Sequence, residues 1–390
     1  MTNVYLHGRI SDRILAGHPW VYNNEVGKIE GDVQPGKIVS VWTAKKKFVG
    51  KGYINPQSQI LVRILTRDKN EEINEAFFFG RIESAWKYRI KNGYAENCRL
   101  VFGEADYLPA LIIDKFNDYF VVQTLSAGID AWKPAIVAAL ENLFKPQGIY
   151  ERNDVPVREL EGLPQRKGFL SHPFDTRIVI NENGLRFGID IENGQKTGYF
   201  LDQHDNRRRI RHIVRDADVL GAFCYTGSFE IHAASYGAKK VTGIDISETA
   251  IDQAKKNAEA NGLANICDFK TANAFDVLKQ WSREGMFFDV VMLDPPAFTK
   301  SRDTIDQAIK GYKEINLRGI KLLRKGGFLV TSSCSNLVSP ELFLDIIDDA
   351  AKDARRKLRQ VTFQTQAPDH PIIHGIESTN YLKFLVAELE

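Results

Sequence analysis

Cysteine is scarce in this chain of 390 residues. Four are present, Cys98, Cys224, Cys267 and Cys334, and no two of them stand in a CxxC spacing. That scarcity argues against a disulfide framework and against a zinc site, so no metal is expected and any cysteine chemistry would use a lone thiol. Long apolar runs are missing too. None approaches the roughly 20 residues of a membrane span, and the opening MTNVYLHGRISDR lacks the apolar stretch of a signal peptide. A cytoplasmic location with no membrane partner is the expectation. Low-complexity tracts are also absent, and 43% hydrophobic with 26% charged residues is the balance of a chain folded throughout. Its length exceeds what one hydrophobic core normally serves, so two or three domains are expected.

Charge is unevenly spread. Residues 1–69 carry 11 Lys or Arg against 5 Asp or Glu, whereas the rest carry 41 against 45. A basic front module suits a polyanion, although a merely solvated basic surface has the same composition.

The chain divides into three segments. Residues 1–70 read as short strands at 38–42, 48–54 and 60–65, punctuated by Pro35-Gly36 and Asn55-Pro56. Residues 71–182 open with a helical pattern (Ile73, Phe77, Phe78, Ile82, Trp86) and continue with a hairpin, LPALIID and YFVVQTL, then a helix over 131–144 and another strand. From 183 to 390 strands and helices alternate, as in a parallel sheet covered on both faces. Strands are placed at 218–222, 240–245, 289–293 and 327–332. Ligands of such sheets bind at the carboxyl ends of the strands.

Each of those ends carries suggestive residues. VLGAFCYTGSF puts Gly221 and Gly227 in a strand-to-helix turn where a ligand can approach the backbone. It lacks the GxGxxG spacing of a dinucleotide fingerprint, which weakens a nicotinamide-cofactor reading. Asp245 ends the next strand, where an acid accepts from ribose hydroxyls; its alternative is the cap region of the helix starting near Ser247. Asn273 has an amide suited to an adenine edge, and is equally well an exposed turn residue.

FDVVMLDPPAF delivers Asp294, Pro295 and Pro296 to the same edge. The two prolines stiffen a platform presenting the aspartate and Phe298, a pairing that suits a flat base with an exocyclic amine. A plain strand-ending turn is the alternative. Cys334, in GGFLVTSSCSNLVS, ends another strand of the sheet. A lone cysteine is commonly a small buried hydrophobe, but here a thiolate would stand at the inferred catalytic edge. Pyrimidine C5 is a poor nucleophile; thiolate addition at C6 pushes electron density onto C5, which then attacks a sulfonium methyl. Amino-group methylation needs no such cysteine.

Together VLGAFCYTGSF, IDIS, DPPAF, SSCS, KTGYFLDQHDNR and QAPDHP resemble the RlmI-like bacterial large-subunit ribosomal RNA cytosine-5 methyltransferases over nearly the whole chain. The resemblance implies an α/β fold: a Rossmann-like class I methyltransferase domain preceded by a β-rich PUA domain, carried by GHPWVYNNEV and the strands after it, and a small α+β domain. It implies S-adenosylmethionine as cofactor, large-subunit ribosomal RNA as partner, Cys334 as nucleophile and Asp294 as the residue orienting the cytosine. The cofactor would be held by the Gly221–Gly227 loop with Phe223 and Tyr225, by Asp245 and near Asn273, a position where family members often have Asp. Lys196, Tyr199, Phe200, Asp202 and Gln203 would border cofactor or target base, with Pro295, Pro296 and Phe298 on the substrate side. Ala297 stands where related enzymes carry a second, product-releasing cysteine, leaving Asp369 or His370 as nominees for a base. Arg207, Arg208, Arg209, Arg211 and Arg215 would meet phosphates or form a solvated helix face. Competing readings are a methyltransferase acting on guanine or an exocyclic amine, and a cofactor-binding ribosome-assembly factor without turnover. A small-molecule methyltransferase would leave the basic module unexplained. Homodimerisation is left open, as is the choice between naked RNA and an assembly intermediate.

Overall fold

The computed structural model describes residues 2–8, 11–299 and 301–390, the side chain at 302 excepted. The chain forms two compact units, neither of them one continuous stretch. Met1–Ile178, Ile189–Leu201 and Pro368–Thr379 make the first; Val179–Gly188, Asp202–Ala367 and Asn380–Glu390 make the second.

In the first unit a six-stranded sheet runs in the order Trp20–Tyr22, Ile60–Thr66, Phe48–Ile54, Ile38–Trp42, Thr2–Leu6, Val26–Glu30. β-Branched residues facing inward, Val4, Val39, Val41, Ile54 and Val62, form its core. A five-stranded sheet lies in the order Arg166–Phe169, Gly148–Asn153, Tyr119–Thr124, Leu111–Phe116, Asn97–Phe102. Its central hairpin turns at Asn117-Asp118, with Asn117 in the left-handed region (φ 53°) that tight two-residue turns demand. The helix Glu75–Lys91 starts where the Asn74 side chain accepts from the Phe77 N–H. It buries Phe77, Phe78 and Ile82 against Leu100, Val101 and Leu111 of the sheet. Three buried carboxylates in this unit are matched to arginine: Glu161 with Arg63 (2.8 Å), Asp114 with Arg99 (2.8 Å), and Asp106 with Arg89.

The second unit is built on a seven-stranded sheet in the order Cys267–Thr271, Lys240–Asp245, Asp218–Ala222, Phe288–Leu293, Leu323–Ser333, Lys383–Leu389, Leu358–Gln364. The first five are parallel, and Lys383–Leu389 is antiparallel to both of its neighbours. Two of the four strands expected here fall where expected. Phe288–Leu293 begins one residue early, and Leu323–Ser333 extends four residues earlier and one later. Leu220, Ile244, Val291, Leu293 and Leu329 pack with Ile315, Ile320, Phe343 and Ile346 from the covering helices. From Asp218–Ala222 the next strand in sequence lies on one side and Phe288–Leu293 on the other, so the strand order reverses there and a crevice opens at the carboxyl ends. Among the described residues no helix is long and apolar enough to cross a membrane.

Candidate active site

The loop leaving Asp218–Ala222 is strained. Phe223 (φ 64°), Tyr225 (φ 48°) and Gly227 (φ 79°) all occupy the left-handed region, which costs about 1–3 kcal/mol for a non-glycine residue. The neighbouring strand Lys240–Asp245 holds it there. Cys224 N–H donates to Ile244 O (3.0 Å), and Tyr225 N–H donates to Asp245 Oδ2 (2.9 Å). Only glycine fits at 227, where a Cβ would stand 2.7 Å from the Phe269 ring. At 221 an added Cβ would overlap Glu230 Oε1. Main chain is therefore brought close to whatever fills the crevice.

Asp245 is half-exposed at its strand end. Its Oδ1 accepts from Ser247 N–H (2.9 Å), while Ser247 itself caps the following helix through Ala250 N–H. Asp245 thus fixes the loop and leaves the cap to Ser247, with lone pairs remaining on both oxygens. Beside it Ile246 is 73% exposed, an apolar side chain presented to solvent at the edge of the crevice. Its signal in the sequence is faint: IDIS carries a large apolar residue one step past a strand end. Asn273 caps the helix Ala274–Glu284, its Oδ1 accepting from Phe275 N–H (2.9 Å).

Asp294 is tied to two other elements. Its Oδ1 accepts from Ser332 Oγ (2.5 Å) and from Gln203 Nε2 (3.0 Å), and Gln203 Oε1 accepts in turn from Asn206 Nδ2 (2.8 Å). Gln203 therefore orients the aspartate. Asp202 Oδ2 accepts from Tyr381 O–H (2.6 Å), and its backbone carbonyl accepts from Ala367 N–H (2.9 Å). Pro295 is buried and Pro296 exposed. Phe298 is half-buried in an aromatic cluster, with ring centroids 4.6 Å from Tyr312, 5.7 Å from Phe275 and 6.4 Å from Phe223. The ring that the sequence offers as a stacking face is at least partly a brace for the platform.

Leu293 and Thr331 are register partners in parallel strands, so Asp294 and the Ser332–Cys334 segment leave the sheet side by side. Cys334 is half-buried. Its loop is pinned by Tyr312 O–H with Ser335 Oγ (2.9 Å) and by the buried Lys383, whose Nζ donates to Ser335 O (2.7 Å) and Tyr381 O (2.8 Å). Burial lowers the Lys383 ammonium to about 8, against the opposing influence of Cys334. Sequence reading misses Lys383, whose signal is a single cation inside the apolar run YLKFLV.

Other expectations resolve differently. Arg207 is fully buried and forms a two-pronged pair with Glu182 (2.8 and 3.0 Å), which removes it from the set of phosphate contacts. Lys196 and Tyr199 belong to the first unit: Lys196 Nζ lies 4.2 Å over the Phe200 ring and Tyr199 is buried. Asp369 and His370 are buried in that unit too. Asp369 Oδ2 accepts from Arg99 N–H (2.8 Å) and Oδ1 faces His370 Nδ1 (2.8 Å), while the backbone carbonyl of 369 accepts from Arg89 (2.7 Å). These are the bonds of a structural network.

A glycine loop over a strand end, an acid on the next strand and an exposed apolar side chain beside it match a nucleoside joined to an amino acid. Comparison with known proteins decides the assignment. Residues 167–385 match the S-adenosylmethionine-dependent methyltransferase model, and residues 4–67 match a PUA-like domain. Ribosomal RNA large subunit methyltransferase I of Aliivibrio fischeri (strain MJ11) is 39% identical over 98% of both chains, and that of Photobacterium profundum is 40% identical over 98% of both. The chain belongs to this methyltransferase family. S-adenosylmethionine is its cofactor, and a PUA-like domain precedes its α/β methyltransferase fold. That fold is shared with the crystal structure of SMU.776 complexed with SAH, which aligns over 100% of both chains at 20% identity with a TM-score of 0.85.

Proposed function

We propose that the chain forms 5-methylcytosine in large-subunit ribosomal RNA, acting in the cytoplasm through a covalent adduct between Cys334 and cytosine C6. The observation that carries this is the 2.5 Å bond from Ser332 to Asp294, which couples the acid of the DPP loop to the segment bearing the cysteine. The relatives' printed name supplies the RNA class.

The cofactor supplies the methyl group. Gly221, Phe223, Tyr225 and Gly227 would hold it by main chain, Asp245 by its ribose hydroxyls, and Ile246 and Asn273 at the adenine. Asp294, fixed by Ser332 and Gln203, accepts from the cytosine amine and sets the ring over the thiol. Cys334 adds as thiolate to C6, and the electron pair gained at C5 would take the methyl group as that group's bond to the cofactor sulfur breaks and its electron pair returns to the sulfur. Loss of the C5 proton to a base then regenerates the double bond as the C6–S bond breaks and the thiolate leaves. The Lys383 ammonium, held beside this loop, favours the anionic sulfur. Residues 1–70, with their basic excess, would contact phosphates, and the target base must be unstacked to be reached.

Wild-type and Cys334→Ala protein are incubated with labelled S-adenosylmethionine and undermethylated ribosomal RNA, and the digested nucleosides are identified by mass spectrometry. 5-Methylcytidine should form with wild type and fall at least about a thousandfold in the variant. Label on guanosine or an exocyclic amine, or a fully active variant, would sink the covalent mechanism.

A further inference from the structure

One buried acid in the second unit has no role in the methyl transfer. Glu230 lies on the helix Ser228–Ser235, is 2% exposed, and its Oε2 has no hydrogen-bond partner among the described residues. Its carboxyl fills the space that a side chain at Gly221 would take, directly against the strand end from which the cofactor loop springs. A buried carboxyl oxygen left unsatisfied is costly, so a partner is expected from outside the chain.

The groups facing it show what kind. Asp245 from one neighbouring strand and Asp294 from the other both act on Glu230, while Arg207 pulls the other way. Cys224 and Cys267, whose thiols are pushed up chiefly by burial, also feel the charge of Glu230. Burial, reinforced by the two aspartates against the weaker pull of its own backbone N–H and Arg207, raises the Glu230 carboxyl to about 8. Three acids around one crevice, one of them neutral at physiological pH, leave room there for further positive charge. The cofactor brings it, as an α-ammonium and a sulfonium.

We propose that Glu230 is a proton-linked counter-charge for the cofactor: protonated in the free protein, it ionises and releases its proton to solvent when the cationic methionine end binds. This rests on the cofactor reading of the Gly221–Gly227 loop. Glu230 acts through the field beneath the loop, which in a dry interior reaches past the Gly221 backbone, and it is a positioning residue. Because the binding-competent form is the ionised one, affinity should rise with pH below the acid's midpoint.

The test is isothermal titration of S-adenosylhomocysteine and of S-adenosylmethionine into full-length wild type and Glu230→Gln. Buffers of different ionisation enthalpy are used between about pH 6 and 7, where an α-amino group stays charged. Wild type should release close to one proton per ligand, and its Kd should tighten by about tenfold per pH unit. Glu230→Gln should release none and show a flat profile. Release with both ligands assigns the ammonium, and release with S-adenosylmethionine alone assigns the sulfonium. No release with either ligand, or unchanged release in Glu230→Gln, overturns the proposal. Should the variant fail to fold, a flat wild-type profile overturns it unaided. A wild type that binds neither ligand overturns the loop reading itself.

Discussion

Both units bury acids, and they treat them in opposite ways. In the first unit Glu161 receives Arg63, Asn55 and Ser58, and Asp114 receives Arg99 and Thr197. Every one of these donors comes from the chain, and the result is a set of closed charge pairs. Around the crevice of the second unit Asp294 accepts from the side chains of a serine and a glutamine, both neutral, and Glu230 Oε2 receives nothing among the described residues. The contrast separates acids closed by arginine from acids grouped around a crevice. Glu182 shows that the second unit also closes charge pairs, with Arg207 across from it.

The largest expected effect comes from opening a closed pair. Arg63→Leu strands a buried carboxylate and should lower stability by about 3–5 kcal/mol in a urea titration. A loss under about 1 kcal/mol would erase the distinction between the two regions. Asp294→Asn tests the other side: methyl transfer to RNA should fall about a hundred- to a thousandfold in kcat, with the melting temperature nearly unchanged. A large loss of stability would class Asp294 with the folding acids.

The smallest effect is a difference in pH response. Burial, aided by Arg207 though opposed by Glu182, holds His232 near 4, below its unfolded value, so its contribution is intact above about 6.5 and fades as the pH falls toward 4. Burial opposes ionisation of Glu182, but Arg207, His204 and His232 outweigh it and hold the carboxyl near 2, so its contribution fades from about 4.5 downward. Glu230 runs the other way: raised in the folded state, it costs stability progressively as pH climbs from about 4.5 to 8. The melting temperature of Glu230→Gln should therefore overtake wild type by a margin that grows between about pH 5 and 8. A margin independent of pH would mean that Glu230 is ionised in the folded protein.

Much of this site is legible in sequence because strands of a parallel sheet are apolar runs that end abruptly, and the residues just past each end face the crevice. Asp245, Asp294 and Cys334 are nominated that way. Leu323–Ser333 is placed short because Arg324, Lys325 and Gly326 look like a turn, yet the strand runs through them. Glu230 is invisible because its meaning depends on an absence nine residues earlier, the side chain that Gly221 does not have. Gln203 is placed near the ligand, but only its bond to Asp294 shows that it serves the acid. Arg207 is misread because a run of arginines on a short helix gives no hint that one of them turns inward to Glu182.

The strand Lys383–Leu389 lies between Leu323–Ser333 and Leu358–Gln364, although it is the last of the three to be synthesised. A growing chain therefore holds an open slot in its sheet until Lys383–Leu389 has been made, and that edge of Leu323–Ser333 stays unpaired meanwhile. Lys383 enters with that strand and brings the donor that pins the Cys334 loop. The Cys334 loop is thus pinned only once that strand has joined the sheet, so closing the sheet and fixing the loop are one event.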